Sequence, residues 1–256
     1  MSETTRAVDY VQSVRRQVDA SRFALISEKN SPTSGFDRTF RQHVIQEYFD
    51  GGKLIADPYE SYPPDRLRAR DVLRVTDHPE KGLLLAPGES VAIGDRSYQK
   101  GYREYPRIQV MQDPLFCEWV RDKVNLMLEP IDRWPYRSRQ VTVGVNLFRT
   151  FKDVASGPHQ DDEERVLVYV ADKQATGATT ELYRYKTPYI LFRHTLEPGE
   201  GIIFEDGWVQ HTATPLLPLE SGVRPRRDAI VMTVNKPDTY PLGPFLEEDS
   251  YEYPNN

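Results

Sequence analysis

The chain of 256 residues is long enough for one large domain and short for two, and its 33 basic against 39 acidic side chains give a net charge of −6, which excludes a basic nucleic-acid binder. Hydrophobic residues at 38% and aromatics at 11% supply a core while charged residues at 28% keep the surface hydrated, which excludes wholesale disorder. The single cysteine, Cys117, forms no internal disulfide, the first residues are polar, and no apolar run approaches the roughly 18 residues of a membrane span, so the sequence predicts a cytoplasmic protein.

In chain order, Val11, Val14 and Val18 stand at i, i+3, i+7 and predict an amphipathic helix over about Thr5 to Ala20. A second helix is expected from Asp37 to Phe49, with Phe40, Val44, Ile45, Tyr48 and Phe49 on one face and Gly51-Gly52 as its stop. Pro58 to Arg74 carries Tyr59, Tyr62, Pro63, Pro64 and the arginines Arg66, Arg68, Arg70 and Arg74. It reads either as a loop followed by a solvated strand face or as an Arg-lined wall for an anionic substrate. A third helix starts at Asp113 as N-cap with Pro114 at the first helical position and ends before Pro130.

From Arg139 onward the pattern changes to short β-branched runs: Val141 to Phe148, Val166 to Ala171, Thr179 to Tyr183, Tyr189 to Leu196, Gly201 to Phe204 and Ala229 to Val234. Pro198-Gly199 and Asp206-Gly207 punctuate them as turns. Short strands at this spacing, with little helix between them, predict an antiparallel sandwich or jelly roll.

Of the five histidines, His43 falls in a helical pattern and His194 in a strand, where packing is the default. His78-Pro79-Glu80 sits in a Pro-containing loop without matching strands after it. His159-Gln160-Asp161 differs, because it leads into the strand Val166 to Ala171, and in extended chain His159 and Asp161 point to one side while Gln160 points away. His211 follows a strand and turn. Two imidazoles and one carboxylate can occupy one face of an octahedral Fe(II) and leave positions for a bidentate keto acid and dioxygen. His-x-Asp is a weak signal by itself, and Arg227 strengthens it. Sixteen residues after His211, at the mouth of the apolar run Ala229 to Val234, its guanidinium can pair with the far carboxylate of such a keto acid.

Together these residues, with Val166-Leu167-Val168, Thr179 to Tyr183, Phe204-Glu205-Asp206, Thr214-Pro215 and Arg227 to Val231, resemble the bacterial 2-oxoglutarate/Fe(II)-dependent dioxygenases that hydroxylate free amino acids, the isoleucine dioxygenase group. The likeness is best over about Val141 to Val234 and looser at Tyr62-Pro63-Pro64, Tyr98-Gln99 and Val145 to Arg149. It implies a distorted double-stranded β-helix, an α+β but mainly β fold with helices packed outside. The expected organisation is a single domain over 1–256, with a helical and mixed part to about 138, the β-helix core over about 139–236 and a tail over 237–256. It further implies His159, Asp161 and His211 as iron ligands and Arg227 as the 2-oxoglutarate anchor. Two positions depart from the family pattern: Ala178 follows Gly177 where Gly-Gly is usual, and Asp162 stands where a glycine is common.

The reaction so implied consumes Fe(II)-bound 2-oxoglutarate and O2, releases succinate and CO2, and hydroxylates a small-molecule amino acid; desaturation or ring formation are the alternatives on the same cofactors. Because Asp161 fills the iron position that a halide needs, halogenation is disfavoured. Arg149, Arg68 and Arg70 are candidates to hold the substrate carboxylate. The rival readings are a cupin-like metal enzyme without a keto acid and a non-catalytic β-sandwich binding module. No nucleic-acid or membrane partner is expected, and the sequence sets no oligomeric state.

Overall fold

The computed structural model describes residues 3–56, 64–78, 80–88, 93–94, 102–103, 105–128, 139–152 and 157–235. Tyr59, Tyr62, Pro63, Tyr98, Gln99 and the 237–256 tail lie outside them. Helices form where apolar residues recur three or four apart. α1 (Glu3–Ser21) buries Val14 and Val18. After β1 (Phe23–Ser27), α2 (Ser34–Val44) runs into a π-helical turn over Ile45–Phe49. The sequence predicts one regular helix here. The wider turn lets Tyr48 and Phe49, adjacent in the chain, both pack inward next to Phe40 and Val44. Gly52 ends it with φ +70°, and a Cβ at Gly51 would lie 2.3 Å from the Glu47 carbonyl oxygen. Then come β2 (Ile55–Ala56), β3 (Arg66–His78), β4 (Gly82–Pro87), β5 (Ile93–Gly94) and β6 (Tyr102–Arg103). α3 (Pro114–Met127) starts as expected: Asp113 Oδ1 accepts the Phe116 N–H at 3.0 Å, and Trp119 stacks on Phe40 at 4.4 Å.

The second half supplies β7 (Arg139–Thr150), β8 (Arg165–Gln174), β9 (Thr176–Gly177), β10 (Thr179–Arg184) and β11 (Ile190–Thr195). β12 (Glu200–Glu205), β13 (Val209–Ala213), β14 (Leu216–Leu217) and β15 (Arg226–Asn235) complete it. An eight-stranded sheet runs β1-β12-β8-β15-β7-β3-β2, with β4 also on β3, and all its pairings are antiparallel. β11, β10 and β13 form a smaller antiparallel sheet. This is the mainly β, jelly-roll architecture that the strand pattern predicts. The long strand β3 lies in the first half, where the sequence leaves loop and strand open; it pairs along β7 from Arg66↔Thr150 to Asp77↔Arg139.

Strand alternation gives the large sheet two unlike faces. On one, Val141, Val143, Val145, Leu147, Leu167, Tyr169, Ile230 and Met232 join the helices in the main core. The other turns toward the small sheet, where Val166, Val170, Ile202 and Phe204 meet Leu182, Leu196 and Val209. Arg68, Arg70, Asn146, Phe148 and Arg227 share that second, inner face by register. Among the described residues no helix is long and apolar enough to cross a membrane.

Candidate metal centre

His159 precedes β8 and His211 lies on β13, and an isolated antiparallel bridge ties them. The His159 N–H donates to the His211 carbonyl at 3.1 Å and the His211 N–H to the His159 carbonyl at 2.8 Å, which sets the two rings 4.3 Å apart. Asp161, two residues on, points to the same side. Its Oδ1 lies 3.6 Å from His159 Nε2 and its Oδ2 3.5 Å from His211 Nε2. One donor atom from each residue falls within 4.8 Å of the others. Cis ligands at roughly 2.1 Å from an octahedral ion stand about 3 Å apart, so this set closes on a divalent cation with small side-chain movements.

Each imidazole has an acceptor behind it, as ligating histidines commonly do. His159 Nδ1 lies 2.7 Å from the Gly157 carbonyl, which can only accept, so Nδ1 carries the proton and Nε2 keeps its lone pair for the metal side. His211 Nδ1 faces Asp206 Oδ1 at 3.5 Å, and both atoms are shielded from water with no closer partner among the described residues. The other oxygen of Asp206 accepts the Asp161 N–H at 2.8 Å and the Glu163 N–H at 3.2 Å, and the Gln160 amide donates to its carbonyl. Asp206 is 1% exposed, so one buried carboxylate braces His211 and the loop carrying Asp161. The sequence places Asp206 in a turn and in the run Phe204-Glu205-Asp206 that resembles the family, without assigning it a partner. Burial pushes the Glu163 carboxyl, which accepts from Asn235, up to about 7.

The sequence-predicted arginines divide between the two faces. Arg227 is 4% exposed on the inner face, burial lowers its pKa to about 10, and it has no carboxylate partner among the described residues. Directly after it, the register against β8 shifts between Asp228 and Ala229. Arg149 instead points to the helix side: Nε donates to Asp228 Oδ1 at 2.8 Å, Nη2 donates to Asp228 Oδ2 and Asp50 Oδ1 at 2.7 Å each, and the guanidinium lies over Phe49. It does not share a face with the metal-centre residues. Arg226 points outward too, onto Asp172. Arg68 and Arg70 face inward, and both donate to Asn146 Oδ1, at 2.8 and 3.0 Å. Asn146 escaped sequence reading, although a lone amide inside the run Val143 to Leu147 was the available signal. The remaining histidines hold structure: His43 pairs with Asp113, His194 with Glu200, and His78 Nδ1 accepts the Glu80 and Lys81 N–H groups.

Residues 53–233 match the family model for 2OG-Fe dioxygenases. The chain belongs to the 2OG-Fe dioxygenase family. It is accordingly an oxidoreductase that uses Fe(II), 2-oxoglutarate and O2, which sets aside the cupin-like and binding-module readings. Solved structures share the fold of this 2OG-Fe dioxygenase at low identity. A bsmA homolog from Methylobium petroleophilum superposes with a TM-score of 0.68 at 18% identity, over 88% of this chain and 93% of that one. The Fe(II)/(alpha)ketoglutarate-dependent dioxygenase TqaL gives 0.66 at 14% identity, over 92% and 90%. IDO from Bacillus thuringiensis gives 0.62 at 17%, over 88% and 95%. No curated protein sequence matches the chain.

Proposed function

We propose that His159, Asp161 and His211 hold the iron, that Arg227 anchors the far carboxylate of 2-oxoglutarate, and that the enzyme hydroxylates a free amino acid with release of succinate and CO2. The observation that carries this reading is the convergence of three donor atoms within 4.8 Å, together with a buried Arg227 on the inner face of the large sheet that has no carboxylate partner among the described residues. A buried guanidinium without a counter-ion is costly, and a dianionic co-substrate supplies the missing charge. Bound ferrous iron supplies the redox chemistry that couples O2 and 2-oxoglutarate decarboxylation to C–H oxidation.

The chain's own residues do the rest. The Gly157 carbonyl holds the His159 imidazole with Nε2 forward, and the Asp206 carboxylate lies behind His211 Nδ1 at 3.5 Å. The register shift after Asp228, with Arg149 locked on that carboxylate, fixes where Arg227 stands. Apolar Val166, Val170, Ile202 and Phe204 pack between the two sheets and lower the local dielectric beside the site. The free amino acid as substrate rests on the resemblance to the isoleucine dioxygenase group and on the inward Arg68 and Arg70, which can take a carboxylate. The Asp161→Ala variant tests the reading: Co(II) binding, followed by its visible absorption, and succinate formation should both be lost. Retention of either would sink it.

A further inference from the structure

One flank of the barrel ends in two sheet edges side by side. β1 closes the large sheet and β11 the small one, and neither has a strand on its outer side among the described residues. The edges meet through Phe23 and Phe192, whose rings lie 5.1 Å apart. Leu25 shares the inner face with Ile202 by register, yet it is 37% exposed on this flank. Along β11, Tyr189, Ile190 and Leu191 are each more than a third exposed. Leu191 is the extra residue of a bulge, since Phe192 pairs with Leu182 and Ile190 with Tyr183. Trp208, 58% exposed, continues the surface: the Arg22 guanidinium, next to Phe23, lies 4.3 Å over its ring, and its carbonyl accepts the Tyr185 N–H at 3.2 Å. Sheet edges are usually blunted by a lysine or a proline within the strand. Here Lys186 and Pro188 stand before β11, and Arg193 inside it pairs with Glu181 at 2.9 Å.

A contiguous apolar surface with a polar rim marks a place where another molecule binds, and the rim charges say which. The turn leading into β11 carries Arg184 and Lys186, and the turn leaving it carries Glu197 and Glu200. Glu197 lies 3.3 Å from Lys173 Nζ with 61% of its side chain still exposed, and Glu200 lies 2.9 Å from His194 Nε2. One end of the strand is therefore basic and the other acidic. A second β11 laid antiparallel sets each basic turn against an acidic one, with Ile190 and Leu191 of both copies between them. A parallel copy sets like charge against like. The antiparallel contact also occupies both edges at once and closes as a two-fold pair, where head-to-tail contacts would propagate.

We propose that this flank is a homodimer interface in which β11 packs antiparallel on β11 of a second copy of the chain. The interface depends on neither the iron nor the co-substrate.

The test is sedimentation velocity on the full chain over about 1 to 100 µM, where an interface of modest size shows its dimer. Wild type should sediment at twice the mass of the chain. Leu191→Glu puts a charge into the apolar centre twice per dimer and should weaken association by about 100-fold or more, leaving a monomer. Tyr189→Lys, at a more exposed position, carries the same test if Leu191→Glu fails to fold by circular dichroism. Lys186→Glu should raise the dimer Kd about tenfold, because the two-fold counts the change twice, and adding Glu197→Lys should return it to within about threefold of wild type. Both shifts should fade in about 1 M salt. A wild-type monomer throughout would overturn the interface and give the flank to a different partner. So would an assembly larger than a dimer, or a dimer that withstands Leu191→Glu and Tyr189→Lys alike. A dimer indifferent to Lys186→Glu, or weakened by it and not repaired by Glu197→Lys, would overturn the antiparallel arrangement and with it the proposal.

Discussion

Asp206 carries more of the centre than its place in a turn indicates. Its two oxygens face His211 Nδ1 and the Asp161 and Glu163 N–H groups, so Asp206→Ala frees both sides of the ligand set at once. Metal affinity should fall by about 10- to 100-fold, measured by Co(II) titration, and stability by about 1–3 kcal/mol from the donors left unpaired. Arg227→Gln acts elsewhere: it should raise KM for 2-oxoglutarate by one to two orders of magnitude while Co(II) affinity stays within about threefold. A joint loss of both would mean that Arg227 supports the metal loop rather than the co-substrate. At this scale the sequence is legible where partners are local. His159 and Asp161 show themselves through i, i+2 spacing, whereas Asp206 meets Asp161 across 45 residues and Arg68 meets Asn146 across 78. Asp162 takes φ 60° and Ala178 φ 52°, the left-handed region that glycine fills most easily, so both side chains sit on backbone that a glycine would adopt with less strain.

At the scale of elements, α3 was readable because its start is written in adjacent residues, Asp113 and Pro114. The π-turn after α2 was not, because the apolar face that includes Tyr48 and Phe49 reads the same for a regular helix and nothing in Ile45 to Phe49 marks where the turn widens. The two elements meet at Asp113, whose Oδ2 accepts from Tyr48 Oη at 2.9 Å and lies 2.6 Å from His43 Nε2. Burial alone would raise the Asp113 pKa, but His43, the Phe116 N–H and Tyr48 hold it below the ordinary carboxylate range. A carboxyl depressed on folding stabilises above its unfolded pKa and loses that contribution as pH falls through the folded one. Asp113→Asn should therefore be less stable than wild type at pH 7, with the gap closing below about pH 4, as urea melts across pH would show. On β7, Arg149→Met leaves Asp228, which is 0% exposed, with only Arg226 Nε at 3.7 Å, and should cost about 3 kcal/mol in the same assay. β3 was the element hardest to read, because its alternating arginines imitate a solvated edge until register turns them inward.

For the molecule as a whole, the β-branched runs disclosed the antiparallel core, but register decides what each face does. One face of the large sheet is a conventional apolar core under the helices. The other mixes apolar side chains with Arg68, Arg70 and Arg227, and on the proposed function the co-substrate completes the charge at Arg227. Ligands that bind only the folded state should then stabilise strongly. Mn(II) and 2-oxoglutarate, each at about a hundred times its dissociation constant, contribute about 2.7 kcal/mol apiece, a rise in Tm of about 5–10 °C for each. EDTA should reverse it, and a flat melting curve across that titration would contradict the charge argument.

The bridge between His159 and His211 gives the protein a built-in gauge. Those two main-chain amides are locked only while the small sheet lies against the strand leading into β8, so their deuterium uptake reports the clasp directly, before any turnover is measured.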